Sequence, residues 1–225
     1  AELDDGTKEE QWNIIWEFSE ISGIKPGIIT DSGNKSLHAL WKAIEHISIA
    51  DNVRLRKLLT IALLSDPAIV SPHQPMRVPG FHRKETGKDQ ILRHHSQARY
   101  SQAELESGFR KYFTNLNWVY PEVLSNVRWR LCRRIIGLGE RISQKEYERL
   151  KNLGYDLPAI VAEESDKAKI NKTLVLDRSI SREIKIDLLR EILATPEDEL
   201  TEDRSSLTPE EQKLFEAQQQ KRREL

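Results

Sequence analysis

The chain predicts an α+β fold. Residues 1–98 read as a mixed or antiparallel sheet with packed helices, and residues 99–225 as an all-helical region. Three observations lead there. The amino-terminal part alternates short apolar runs, bounded by glycine and proline, with two long helical stripes. Beyond residue 100 the texture changes, and capping-box spacings and helical periodicity follow one another. No internal repeat divides the 225 residues, a length that suits one large domain or two small ones and can bury a sizeable core.

Charged residues make up 32 % of the chain, and 35 basic residues almost cancel 36 acidic ones. Overall charge therefore points to neither a nucleic-acid nor a membrane partner, and any such surface has to come from local clustering. The single cysteine, Cys132, excludes an internal disulfide framework and a cysteine-based zinc site, in keeping with a cytoplasmic location. There is neither a long apolar run for a membrane span nor a signal peptide. The sequence opens at Ala1 without a methionine, so it is expected to begin inside a domain whose preceding segment is missing.

Taken in order, Glu2-Leu3-Asp4-Asp5-Gly6 opens as an acidic strand end, or as a frayed terminus. On a strand Glu2 and Asp4 share a face while Asp5 points away. Residues 8–22 form an amphipathic helix with Trp12, Ile15, Trp16 and Ser19 on one face, stopped by Gly23. Ile28-Ile29-Thr30 is a short strand running into Asp31-Ser32-Gly33. Ser36 to Trp41 fits a helix or a strand, and only a strand sets Ser36 and His38 side by side. Residues 51–64 form a helix with Asp51 as N-cap, ended by Ser65-Asp66-Pro67. A proline-rich stretch follows, with Met76-Arg77-Val78 as its strand. Glu85-Thr86-Gly87-Lys88 then reads as a hairpin turn, with a return strand near residues 90–93. His94 and His95 point apart on a strand and read as surface residues.

In the second half, Ser101 and Glu104 open a helix that runs to about Phe113, and Tyr120-Pro121 opens another carrying Leu124, Val127, Leu131 and Ile135. Ser143 with Glu146 is a second capping box, and Gly154 is its C-cap. Residues 157–171, 181–193 and 209–223 read as further helices, with 197–203 as an acidic linker.

The chemistry concentrates in a few places. Glu2, Asp4 and Asp66 are hard oxygen donors, and Mg²⁺ is commonly held by a few carboxylates together with substrate phosphates. Two-metal phosphoryl or nucleotidyl transfer sets its ions roughly 4 Å apart. Two acids on one strand face and a third on a neighbouring strand are the geometry expected for that purpose. Lys35, Ser36, His38 and Arg77 offer the cations and donors that a triphosphate needs, with Arg83 and Lys84 close behind in sequence. Gly33 allows the turn that lets backbone approach a phosphate.

The order and spacing of these segments resemble the catalytic module of the archaeo-eukaryotic primase superfamily, the primases and primase-polymerases, over about residues 1–95. The acid-x-acid strand end is matched by Glu2-Leu3-Asp4, and the Ser-x-His strand by Ser36-Leu37-His38, led by Gly33 and Lys35. The acid upstream of an arginine strand is matched by Asp66 with Arg77, and Met76-Arg77-Val78-Pro79-Gly80-Phe81 is similar to plasmid- and phage-type members. The resemblance implies an RRM-like catalytic half. Glu2, Asp4 and Asp66 would hold Mg²⁺ or Mn²⁺ as the catalytic acids, with Asp5 competing as a ligand. The lysine, the Ser-x-His pair and the arginines would bind the phosphates of an NTP or dNTP. The implied activity is primer synthesis or extension on a single-stranded DNA template, in replication of a mobile element or in repair, with a replicative helicase as a possible partner. The family's N-terminal α/β unit is expected to be missing before Ala1.

Past residue 100 the resemblance stops. Arg128, Arg130, Arg133 and Arg134 around Trp129 form either a basic, aromatic surface for single strands or a solvated face over a core tryptophan. A second reading of the whole chain is a non-catalytic single-strand-binding replication protein on an RRM-like shell.

Overall fold

The computed structural model describes residues 1–74, 79–138, 141–143, 148, 150–152, 161–162, 173–175 and 178–200. Its amino-terminal part is a four-stranded antiparallel sheet in the order β1-β3-β2-β6, built from β1 (Glu2–Leu3), β2 (Ile28–Asp31), β3 (Leu37–Leu40) and β6 (Ile91–His95). β3 lies between β1 and β2, antiparallel to both, and α1 (Lys8–Ser22) makes the crossover. This split β-α-β unit is the antiparallel arrangement expected of an RRM-like module. β4 (His82–Arg83) and β5 (Lys88–Asp89) form a separate hairpin.

The run from Ser36 to Trp41 resolves as strand over Leu37–Leu40, with Ser36 and Trp41 flanking it. Leu37 is paired between Leu3 and Asp31, and His38 between Glu2 and Thr30. Pairing on both sides satisfies backbone groups that a short isolated helical turn would leave open. The β2·β6 ladder slips between Ile29 and Thr30, so Arg93 is the extra residue of a bulge.

α1 covers the run read from periodicity. Thr7 caps it in a reciprocal box with Glu10, and Gly23 closes it at φ 78°. α2 (Ile49–Leu63) starts two residues earlier than expected, because Ser48 and not Asp51 is the N-cap; the Ser48 hydroxyl accepts from the Asp51 amide. α3 (Gln102–Asn115) carries the expected Ser101–Glu104 box. Tyr120-Pro121 does not open a helix. α4 spans Asn126–Ile136 and is capped by Ser125. A serine side chain accepting the Arg128 amide satisfies a first-turn donor, which Tyr120 has no side chain placed to do.

The core joins both parts of the chain. Phe18 of α1 meets Trp41, Tyr112 and Phe109 at ring-centroid distances of 5.7, 4.9 and 6.0 Å. Phe113, fully buried, stands edge-on to Trp118 at 5.5 Å. Such pairs contribute about 0.5–1.5 kcal/mol each beyond the area they bury. α3 therefore shares one core with the sheet helices.

The second half is not helical throughout. β7 (Arg141–Ser143), β9 (Thr173–Val175) and β8 (Val161–Ala162) form a small antiparallel sheet in that order. Val161 lies inside the run expected to be helix 157–171; Ser143 is the last residue of β7, residues 148 and 150–152 beyond it are helical, and the partner of its expected capping box, Glu146, lies outside the described residues. The three strands are short runs rich in β-branched residues, which periodicity alone does not separate from helix. The expected helix over 181–193 is present as α5 (Arg178–Ala194). Met76-Arg77-Val78, Gly154 and the helix over 209–223 lie outside the described residues.

Candidate functional site

Strand alternation brings the first two acidic and polar segments together. Glu2 and His38 are direct cross-strand partners on one sheet face, with Asp4 just past the end of β1 and Ser36 just before the start of β3. The His38 side chain is only 4 % exposed, and its Nε2 lies 3.2 Å from Glu2 Oε1. The alignment there falls short of a hydrogen bond, and Nδ1 has no hydrogen-bond partner among the described residues. A buried imidazole with an unspent nitrogen is costly unless something else uses it.

Asp66 arrives on the free edge of β1, where its amide donates to the Glu2 carbonyl at 2.8 Å. Its side chain caps the short 3₁₀ turn Pro67–Val70 by accepting from the Ala68 amide at 2.8 Å. Pro67 is thus part of the device that sets the acid beside β1. The turn between β2 and β3 places Lys35, whose ammonium lies 2.5 Å from Asp4 Oδ2. Lys35 is held above the usual lysine range, first by its hydrogen bond to Asp4 and further by the charges of Asp4, Asp5 and Asp66, against some desolvation. Asp4, Asp5 and Asp66 thus act on one ammonium.

The turn itself is held by a residue that sequence reasoning missed. Gln11 of α1 is fully buried. Its Nε2 donates to the carbonyls of Lys35 at 2.9 Å, Asp5 at 3.2 Å and Gly6 at 3.3 Å, and its Oε1 accepts from the Leu37 amide at 2.8 Å. One amide group ties the loop after β1 to the turn before β3. Gly33 sits at φ 70°, and an added Cβ would come within 3.0 Å of the Asp89 carbonyl. The β4-β5 hairpin presses on this turn, with the Thr86 hydroxyl donating to the Gly33 carbonyl at 2.8 Å. Arg83, 3.4 Å from Glu85, and the exposed Lys84 ride on that hairpin beside the turn. Arg77 lies outside the described residues.

A second group was also missed. Asp31, at the end of β2, is buried, and is clamped by Lys8 and by Arg93 at 3.0 Å, while its Oδ1 accepts from the Gly33 amide at 3.0 Å. Burial pushes its carboxyl up, but the bonds from Lys8, Arg93 and Gly33 outweigh that and hold it below the usual carboxylate range. An acid at a strand end ahead of a glycine turn was the available signal.

The arginine cluster divides. Arg128 is not free for a nucleic acid. It is buried, and its guanidinium donates to the carbonyls of Ile192, Leu193 and Thr195 at 2.8 Å and to Glu197 at 3.0 Å, closing the C-terminal end of α5. A planar five-donor fork suits that cluster of orphan carbonyls. Trp129 is core, with the Lys57 ammonium 5.4 Å from its ring centre. Arg130 and Arg133 are exposed and Arg134 half-buried on the same helix.

Among the described residues, no group of three or more His, Cys, Asp or Glu side chains is arranged as a ready metal cage. The donors nonetheless suit a hard divalent ion. Glu2 and Asp4 are partly exposed carboxylates, Glu2 beside the His38 imidazole and Asp4 beside the Lys35 ammonium, and Asp66 keeps one carboxylate oxygen beyond its cap. Among the described residues, no helix is long and apolar enough to cross a membrane.

No protein-family model matches the chain, and no curated protein does. Among solved structures it is similar to the AEP domain of the cyanophage S-2L primase-polymerase, at 22 % sequence identity and a TM-score of 0.41. The match covers 46 % of this chain and 55 % of that one, so the chain spans about half the length of that structure.

Proposed function

We propose that this chain is a template-directed nucleotidyltransferase of primase-polymerase type. The observation that supports the reading is the cross-strand pairing of Glu2 with His38, one residue from each of the acid-x-acid and Ser-x-His motifs. Lys35 and Asp66 close in from the adjoining turn and edge. Glu2, Asp4 and Asp66 would hold Mg²⁺ or Mn²⁺, which when bound lowers the pKa of an attacking hydroxyl and neutralises a leaving pyrophosphate. The chain's own part is to place the triphosphate. Lys35 neutralises phosphate charge once a cation has taken Asp4 from it. The His38 nitrogens and Ser36 hydroxyl orient phosphate oxygens, and Arg83, Lys84 and Arg77 extend the positive rim. The 3′-hydroxyl of a primer strand then attacks the α-phosphorus, and pyrophosphate leaves. A single-stranded DNA template, a place in replication or repair, a helicase partner and a cytoplasmic location belong to the same proposal.

The test is incorporation of labelled nucleotide on a primed and on an unprimed single-stranded DNA template, with Mg²⁺ or Mn²⁺. Extension should vanish with EDTA, with Asp66→Ala, and with Ser36→Ala combined with His38→Ala, while circular dichroism stays unchanged. Extension by Asp66→Ala at the parental rate would overturn the assignment of the third acid. Template binding with no incorporation in any metal would favour the non-catalytic single-strand-binding reading.

A further inference from the structure

The two adjacent acids after β1 are held by different lysines. Asp4 pairs with Lys35, two residues before the start of β3, whereas Asp5 Oδ2 lies 3.4 Å from the ammonium of Lys185 on α5, 180 residues away. The Lys185 side chain is only 6 % exposed, while that of Asp5 is 73 % exposed. A lysine that buries its whole stem and delivers its ammonium to one exposed carboxylate is an expensive arrangement for mere surface pairing, which is worth about 0–1 kcal/mol. α5 is also fixed at its far end, where Arg128 binds its last carbonyls. One turn before Lys185, the mostly buried Arg182 feels the charges of Glu17 and Asp5. The helix is thus pinned at its C-terminal end to α4 and near its middle to the loop that carries Asp4 and Asp5.

We infer that Lys185 is a positioning residue: by holding Asp5 it keeps that carboxylate out of the set formed by Glu2, Asp4 and Asp66, and makes the docking of α5 a determinant of the cation site. The inference rests on the reading of Glu2 and Asp4 as cation ligands. Strand alternation alone turns Asp5 away from Asp4, but β1 ends at Leu3 and the following loop has no ladder to enforce alternation. Lys185 supplies the missing restraint. Without it Asp5 is free to swing toward its neighbour and add a fourth carboxylate.

The experiment is a double-mutant cycle on the full chain, read as Mn²⁺ binding without nucleotide by the electron-spin-resonance signal of free Mn²⁺. Lys185→Met keeps the buried volume, and Asp5→Asn alters an exposed side chain, so neither should unfold the chain. Lys185→Met should tighten Mn²⁺ binding on the order of threefold to tenfold when Asp5 is present, as a carboxylate is released and a nearby positive charge removed. In the Asp5→Asn background the same change should have less than half that effect on a logarithmic scale, and Lys185→Arg should bind Mn²⁺ as the parent does. An equal factor in both backgrounds would leave only long-range charge and overturn the inference. Glu2→Gln and Asp4→Asn are the control arm. If they leave Mn²⁺ binding unchanged, the ligand assignment fails and this inference falls with it; if they abolish binding while the cycle is additive, the inference alone fails.

Discussion

Replacing Gln11 by leucine tests whether one buried amide assembles the site. The two shortest of its four bonds, to the Leu37 amide at 2.8 Å and the Lys35 carbonyl at 2.9 Å, hold backbone groups at the mouth of the β2-β3 turn. Leucine fills nearly the same volume but can neither donate nor accept. Each stranded backbone group costs about 1–3 kcal/mol. The longer bonds to Asp5 and Gly6 count for less, and the added apolar burial returns about 1–2 kcal/mol. The net loss is about 2–4 kcal/mol, which at a urea dependence of about 2 kcal/mol per molar lowers the unfolding midpoint by about 1–2 M. Gln11→Glu keeps the acceptor for Leu37 but sets a buried carboxylate oxygen against the carbonyls of Lys35, Asp5 and Gly6, so its midpoint should fall at least as far as that of Gln11→Leu. Equilibrium urea unfolding followed by tryptophan fluorescence measures all three proteins. A Gln11→Leu midpoint within about 0.2 M of the parent would show that water replaces the amide at no cost and that the turn is held by other means.

Two further expectations concern titratable groups. The Asp31 carboxyl sits below its usual value of 3.8, so the stability it contributes is present in full above that pH and is lost as pH falls through and below it. Asp31→Asn should therefore be less stable than the parent at pH 7 and show a flatter decline between pH 5 and pH 3, and parallel pH profiles of the two would contradict the clamp. Burial pushes the Cys132 thiol up to about 12, so it should fail to react with a colorimetric disulfide reagent at pH 8 until the chain is unfolded in denaturant. Fast reaction in the native state would place Cys132 outside the core.

Much of the arrangement was legible in the residues because it is local. The α1 stripe and the Ser101–Glu104 box follow from helical periodicity and capping within one element. What was not legible depends on groups meeting across long sequence separations. Gln11 reads as an ordinary polar position between Trp12 and Glu10, and nothing near it announces that its amide reaches the backbone of Lys35 and Leu37. Arg128 reads as one of four helix arginines until α5 brings three carbonyls to it. Val161 and Thr173 to Val175 are too short to declare strand without their partners.

The same distinction bears on how the site is built. Its chemistry-bearing side chains lie on elements whose local pattern dictates direction: a strand end, a Ser-x-His strand, a capped 3₁₀ turn. The groups that hold those elements together are the non-local ones, namely Gln11, the Asp31 clamp of Lys8 and Arg93, the Gly33 turn under the β4-β5 hairpin, and Lys185. Under the proposed function, a change in the first set should remove nucleotide incorporation and leave the fold standing. A change in the second should loosen the approach of one segment to another, raising the nucleotide concentration needed before it lowers the maximal rate. That ordering separates a pre-assembled site from one in which the substrate draws its own ligands together. In the latter case Gln11→Leu would lose stability and yet bind nucleotide as tightly as the parent.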